Sequence, residues 1–148
     1  MKNIFLIKIL IVYLITTSSF NAAQPDYFDS GIKLYKEKNY EESKILFEKD
    51  IVFNPSSEKS YLYLAKIFKN YENDEEQEVN LNNVLLLNPK NDEAIYMLAL
   101  LKIKQSDYNH TKDLINTFKL VCKSFCSKEN EIQEKFKKLT PEDEKGNN

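Results

Sequence analysis

The order of apolar and polar positions repeats with a period of about 34 residues along most of the chain. Ile51-Val52-Phe53-Asn54-Pro55 recurs as Leu85-Leu86-Leu87-Asn88-Pro89. The same shift places Tyr27 on Tyr61 and Ile95, Gly31 on Ala65 and Ala99, and Phe47 on Leu81 and Ile115. Tyr40 falls on Asp74 and then on Tyr108. Each period divides into two helices. In the first, helix A runs from about Tyr27 to Glu37 and helix B from about Tyr40 to Phe53. Asn39 precedes Tyr40-Glu41-Glu42, and Asn73 precedes Asp74-Glu75-Glu76. Both place an acid at the third helical position, as in a capping box. Pro55 and Pro89 stop helix B, because proline cannot continue the hydrogen-bond ladder.

Small residues at 31, 65 and 99 allow helix B to approach helix A closely, while the large residues wedge between successive pairs. One pair cannot cover its own apolar face, so about three must stack to be stable. These residues carry a resemblance: the chain resembles a tetratricopeptide repeat (TPR) protein. The first unit supplies Tyr27, Ser30-Gly31, Leu34, Ser43, Phe47 and Pro55; the second supplies Tyr61, Leu64-Ala65, Phe68, Gln77, Leu81 and Pro89. The third supplies Ile95, Leu98-Ala99, Thr111 and Ile115, but departs with Lys102 at the second helix-A aromatic position and Lys123 where proline is usual. The resemblance implies an all-α, right-handed solenoid of helical hairpins. Its three repeats span 24–57, 58–91 and 92–125. Phe125, Ile132, Phe136 and Leu139 recur near helical spacing among charged residues, which predicts a capping helix over 126–139. Residues 140–148 form a polar tail, expected to be disordered.

Residues 1–23 read differently. Met1-Lys2-Asn3 is followed by an apolar run from Ile4 to Ile15, broken by Lys8, and then by small and polar residues to Ala22-Ala23. That order is the order of a secretory signal peptide, with cleavage expected after Ala23. The uninterrupted stretch Ile9–Ile15 is far short of the ~20 apolar residues that span a bilayer. No Cys lies near the cleavage site, so a lipid-modified N-terminus is excluded. The reading predicts an exported protein, periplasmic or secreted, with no stable membrane anchor after cleavage.

Length and charge narrow the function classes. A chain of 148 residues with 42% hydrophobic content makes one modest domain. A net charge of −2 excludes a strongly basic nucleic-acid binder. All 21 basic residues are lysine, and there is no Trp. Bidentate arginine forks and tryptophan anchors are therefore not available.

Candidate chemistry is sparse. His110, the single histidine, opens the third helix B with no nucleophile beside it, and is expected on the surface. Asn109-His110-Thr111 matches a glycosylation sequon, but inside a helix, and is read as chance. Glu72, Asp74, Glu75, Glu76 and Glu78 cluster without the glycine a calcium loop needs. Acids at the start of a helix are stabilised by its dipole, which accounts for the run. Cys122 and Cys126 are the most informative pair. Residues four apart on a helix have Cα atoms ~6 Å apart, within disulfide range. A clip there would replace the missing proline between the third helix B and the cap. Two alternatives stand beside the disulfide: buried reduced thiols, or a copper-binding or redox pair.

The resemblance also implies a binding face. TPR stacks present their A helices on a concave side. The residues not used in the packing signature are Phe28, Ile32 and Tyr35, then Leu62, Lys66 and Lys69, then Tyr96, Leu100 and Ile103. The groove is thus expected to be apolar at both ends, as two exposed patches, with two ammonium groups between. The lysine-rich clamp by which some TPR proteins grip a C-terminal carboxylate is absent: Phe28, Ile32, Tyr63, Glu93 and Met97 stand in its place. The function read from the sequence is a non-enzymatic interaction module of the bacterial cell envelope. It holds a protein or peptide segment, with self-association of the same apolar rows as the other occupant. No cofactor and no metal are expected. The alternative is an exported thiol- or copper-handling protein using Cys122 and Cys126.

Overall fold

The computed structural model describes residues 26–139. The signal peptide expected over 1–23 and the tail expected over 140–148 lie outside the described residues. Among the described residues seven α-helices follow one another: α1 (Tyr27–Lys36), α2 (Tyr40–Phe53), α3 (Glu58–Asn70), α4 (Asp74–Leu87), α5 (Asp92–Lys104), α6 (Tyr108–Val121) and α7 (Glu129–Leu139). A short 3₁₀ turn, Cys126–Lys128, precedes α7. There is no strand among the described residues. The fold is all-α. The helices pair as the hairpins α1/α2, α3/α4 and α5/α6, and each hairpin packs on the next. Helix α7 lies against both α6 and α5.

The turns inside the hairpins explain the spacing. Lys38, Glu72 and Ser106, each one period from the next, have φ of 62°, 55° and 59°. A residue in this left-handed region lets the chain reverse while two helix-end carbonyls stay bonded. The amide of Asn39 donates to Leu34, that of Asn73 to Phe68, and that of Asp107 to Lys102, at 3.0, 3.0 and 2.9 Å. No glycine marks these positions, although glycine would adopt the conformation at least cost.

Capping differs from the sequence expectation at one site. The Asn73 side chain accepts from the Glu76 amide at 3.1 Å, as a cap should. Asn39 does not: its side-chain amide donates to the Glu42 carboxylate instead. Asp107 takes the capping role in the third hairpin, accepting from His110 N–H at 3.1 Å.

The positions that repeat along the chain form the core. Gly31, Ala65 and Ala99 are buried, as are Phe47, Leu81 and Ile115. Their partners Ser43, Gln77 and Thr111 are also buried. A Cβ built on Gly31 would stand 2.8 Å from the Phe47 ring, so this contact needs a residue without a side chain. Ser43 Oγ donates to the Gly31 carbonyl at 2.8 Å and fixes the same crossing.

The stack is joined along both edges. Tyr71 at the end of α3 donates to Glu41 at the start of α2 (3.0 Å), and Lys104 at the end of α5 reaches Asp74 at the start of α4 (2.7 Å). On the other edge Glu58, opening α3, accepts from Asn88 and Asn91 at 3.0 and 2.5 Å. Asp92 stands one period on from Glu58 and opens α5. It accepts from three successive backbone amides, Lys123, Ser124 and Phe125, at 2.7, 2.6 and 2.9 Å. These contacts make α2, α4 and α6 run the same way.

Candidate interaction face

Helices α1, α3 and α5 carry the residues expected to bind a partner. The three rows fare differently, because the repeat period gives each row one structural role.

The first row, Phe28, Leu62 and Tyr96, points at the next hairpin. Leu62 and Tyr96 are each only 8% exposed. The sequence pattern puts both on an open face, and they lie in the core instead. Phe28 is half-buried, with its ring 5.9 Å from Phe47 and 6.1 Å from Tyr63 of α3. Tyr96 has no fourth hairpin to meet. Its ring packs 5.9 Å from Phe125 and 6.4 Å from Phe118, and its hydroxyl hydrogen-bonds Glu131 of α7. Burial, reinforced by that carboxylate, pushes the Tyr96 hydroxyl up to about 12. Glu131 in turn accepts from Lys128, Lys135 and Tyr96, which hold its carboxyl at about 2. The cap thus covers part of the C-terminal patch that the sequence left open.

The second row, Ile32, Lys66 and Leu100, is half-buried throughout. Lys66 is not a free ammonium. It pairs with Glu93 at 2.8 Å and stands 4.8 Å from the centre of the Tyr63 ring. The third row, Tyr35, Lys69 and Ile103, is the most open: Lys69 is exposed and the other two are half-buried. Tyr35 packs 5.4 Å from Tyr40 and 5.0 Å edge-on to Tyr63. Burial raises its hydroxyl above the usual tyrosine range.

Lys69 and Leu100 of these rows border a pocket of about 310 Å³ among α3, α4 and α5. Met97, Leu100 and Leu101 form its apolar wall, Lys69, Glu72 and the Lys104–Asp74 ion pair its charged rim, and Gln77 of α4 lines it too. Such a mixed wall suits a side chain with an apolar body, held in place by charge at the rim.

Lys102 and its partners escape sequence reasoning. Lys102 is 7% exposed and bonds Glu78 at 2.6 Å and Gln105 Oε1 at 2.9 Å. The Lys102 hydrogen bond is the main reason the Glu78 carboxyl sits below its usual range. The acid cluster therefore does more than cap α4: Asp74 and Glu78 reach the following A helix. The one available signal is a lysine at a packing position, which demands a buried acid nearby.

Cys122 and Cys126 form a disulfide with Cα atoms 5.2 Å apart. They do not share a helix, as the four-residue spacing suggests. Helix α6 ends at Val121, Cys122 is its cap, and Cys126 begins the 3₁₀ turn. The same loop is gripped by Asp92. Burial opposes ionisation of Asp92, but hydrogen bonds from the backbone amides of Lys123, Phe125, Ser124 and Glu93 outweigh it and hold the carboxyl below its usual range. With both sulfurs bonded to each other there is no free cysteine among the described residues, which does not favour a thiol- or copper-handling role. His110 is exposed, with Nδ1 3.7 Å from Asp107. No group of three or more His, Cys, Asp or Glu able to hold a metal ion occurs among the described residues. No helix among them is long and apolar enough to cross a membrane.

No protein-family model matches the chain, and no curated protein matches it. Among solved structures, a chain of the "CopN-Scc3 complex" superposes with a TM-score of 0.61 at 16% identity, over 78% of this chain and 67% of that one. At that identity the likeness shows the fold alone: this arrangement of packed helices recurs in a chain solved within a protein–protein complex.

Proposed function

We propose that the chain is a three-repeat TPR-type interaction module, exported to the bacterial cell envelope, that binds a protein or peptide segment along α1, α3 and α5 without catalysing a reaction. The observation that carries this reading is the pocket among α3, α4 and α5, where half-buried Leu100, backed by the core residues Met97 and Leu101, meets exposed charge. The core does not need Ile32, Tyr35, Leu100 and Ile103 fully covered, and the second and third rows leave them partly open. The likeness to a chain solved in a protein–protein complex supports an interaction role in general. The fitting ligand is an extended or amphipathic segment with apolar anchors. Lys69 would orient an acid near its centre more than hold it.

Affinity capture from an envelope extract tests the reading. Leu100→Asp with Ile103→Asp, and separately Tyr35→Ala, should reduce capture of the parent's partner about tenfold or more, the usual reach of a central anchor. Lys69→Glu should slow association and leave most of the affinity. Full capture by all these variants would remove the face from consideration. Concentration-dependent sedimentation of the parent, lost in the Leu100/Ile103 variant, would show a second copy as the occupant.

A further inference from the structure

The most exposed large apolar side chains lie on the B helices, not on the proposed partner face. Val52, Leu86 and Leu120 are 75%, 80% and 87% exposed. They stand one period apart, at the same point near the ends of α2, α4 and α6. Because these three helices run the same way, the three side chains form one row along one edge. Leu87 extends it, and so does Phe53, which is exposed on one side and stacked on Tyr27 at 5.5 Å on the other. Core packing needs none of them outward, and three coincident exposures in register are not scattered surface residues.

Charge on this edge leans positive, since exposed Glu48 beside Val52 is paired with Lys44. Lys49, Lys90, Lys119 and Lys123 flank the row, are exposed, and form no ion pair among the described residues. The acids of the same edge are mostly turned to internal partners. Asp50 accepts from Ser57 and Ser60, Glu58 from Asn88 and Asn91, and Asp92 from three backbone amides. Asp26 and Asp29 stay exposed, at the α1 extremity. The acidic helix starts Glu41-Glu42 and Asp74-Glu75-Glu76 lie on the opposite edge.

The geometry points to this edge as a reversible docking surface for an anionic phospholipid bilayer. Apolar side chains that project from a ridge, with lysines beside them, can enter the headgroup boundary while the ammonium groups meet lipid phosphates. A second copy fits less well, because a two-fold contact across the row would bring lysine against lysine. A peptide would find here a ridge and not a groove. The contact is peripheral and is separate from the partner-binding face, which it leaves open.

Vesicle co-sedimentation tests the proposal. The full chain is recovered from an exporting host, and parent and variants are matched for N-terminus by intact mass. Vesicles of phosphatidylglycerol with phosphatidylcholine are compared with phosphatidylcholine alone. The parent should prefer the anionic vesicles by about tenfold or more at low salt, and lose most of that preference at high salt. Leu86→Asp with Leu120→Asp should abolish binding without changing the helical signal, since neither side chain is packed. Lys119→Gln should weaken binding about fivefold. Three results would overturn it: equal binding to both vesicles, a Leu86/Leu120 variant that binds like the parent, or a parent dimer that the same variant dissolves.

Discussion

The two ends of this stack use the same repeating pattern and close it by different means. At the N-terminal end the α1/α2 hairpin rests on rings: Phe28, Tyr35 and Phe47 gather around Tyr63 of α3, and Tyr40 packs on Tyr35. At the C-terminal end the α5/α6 hairpin is closed by polar and covalent ties. Asp92 holds the loop, the disulfide clips it, and Glu131 draws Lys128, Lys135 and Tyr96 together at α7. Aromatic packing leaves half-covered rings at one end. The cap buries Tyr96 and Ile132 at the other. The difference teaches why one row of residues is accessible in one place and core in another: the fate of a repeated position depends on what stacks above it.

The largest expected effect separates the two ends energetically. Phe47→Ala should cost about 3–5 kcal/mol, since the ring is fully buried between α1 and α3. Hydrogen exchange should show lost protection in α1 and α2 first, with α5 to α7 nearly unchanged. Equal loss throughout would mean that the ends unfold as one unit.

Gly31→Leu comes next. The new side chain would collide with Phe47, and the cost should be roughly 1–3 kcal/mol despite the gain in helix propensity. Ala65→Leu and Ala99→Leu should lie in the same range. A raised denaturation midpoint for any of the three would contradict the close A–B contact at that hairpin.

Closure of the C-terminal end is expected to be weaker and local. Replacing both Cys122 and Cys126 by Ser should cost roughly 2 kcal/mol, because the closed loop is short. Asp92→Ala should cost about 1–2 kcal/mol by leaving three amides to water. Both should loosen α7 while sparing α1 and α2 by hydrogen exchange. If removal of the clip spared α7 instead, Asp92, the Tyr96–Glu131 contact and buried Ile132 would hold the cap without it.

The smallest effect is on pH. Glu131 is held below its unfolded value of 4.5, so its contribution is complete above that pH and lost as pH falls toward about 2. Tyr96 is raised from 10.0 to about 12, so its contribution is complete below pH 10 and lost as pH rises through 12. Tyr96→Phe should reduce the alkaline loss, and Glu131→Gln the part of the acid loss not carried by Glu78 and Asp92, in thermal melts followed across that range. An unchanged acid limb in Glu131→Gln would assign it to other carboxylates.

Much of the fold was legible because it depends on period and residue size. Gly31, Ala65 and Ala99 with Phe47, Leu81 and Ile115 mark the helix crossings, and proline marks the exits of α2 and α4. The hairpin turns were less legible: Lys38, Glu72 and Ser106 carry no glycine signal, and only the capping residues beside them hint at the reversal. The candidate face was read from the same period but without its depth. Periodicity says which side of a helix a residue occupies. It does not say that α7 stands over Tyr96, or that Lys66 finds Glu93. Those contacts join residues on different helices, and each is a choice among several lysines and acids of similar spacing.

Site-specific photo-crosslinking in the native cells tests the central claim most directly. A photoreactive residue replaces Leu100 on the α3/α5 face, Leu86 on the B-helix edge, or Glu75 on the acidic edge. The account predicts one discrete protein adduct from position 100, none of that mass from 75, and no discrete protein adduct from 86. A discrete partner trapped from 75 or 86 with none from 100 would contradict it and move the binding face off the A helices.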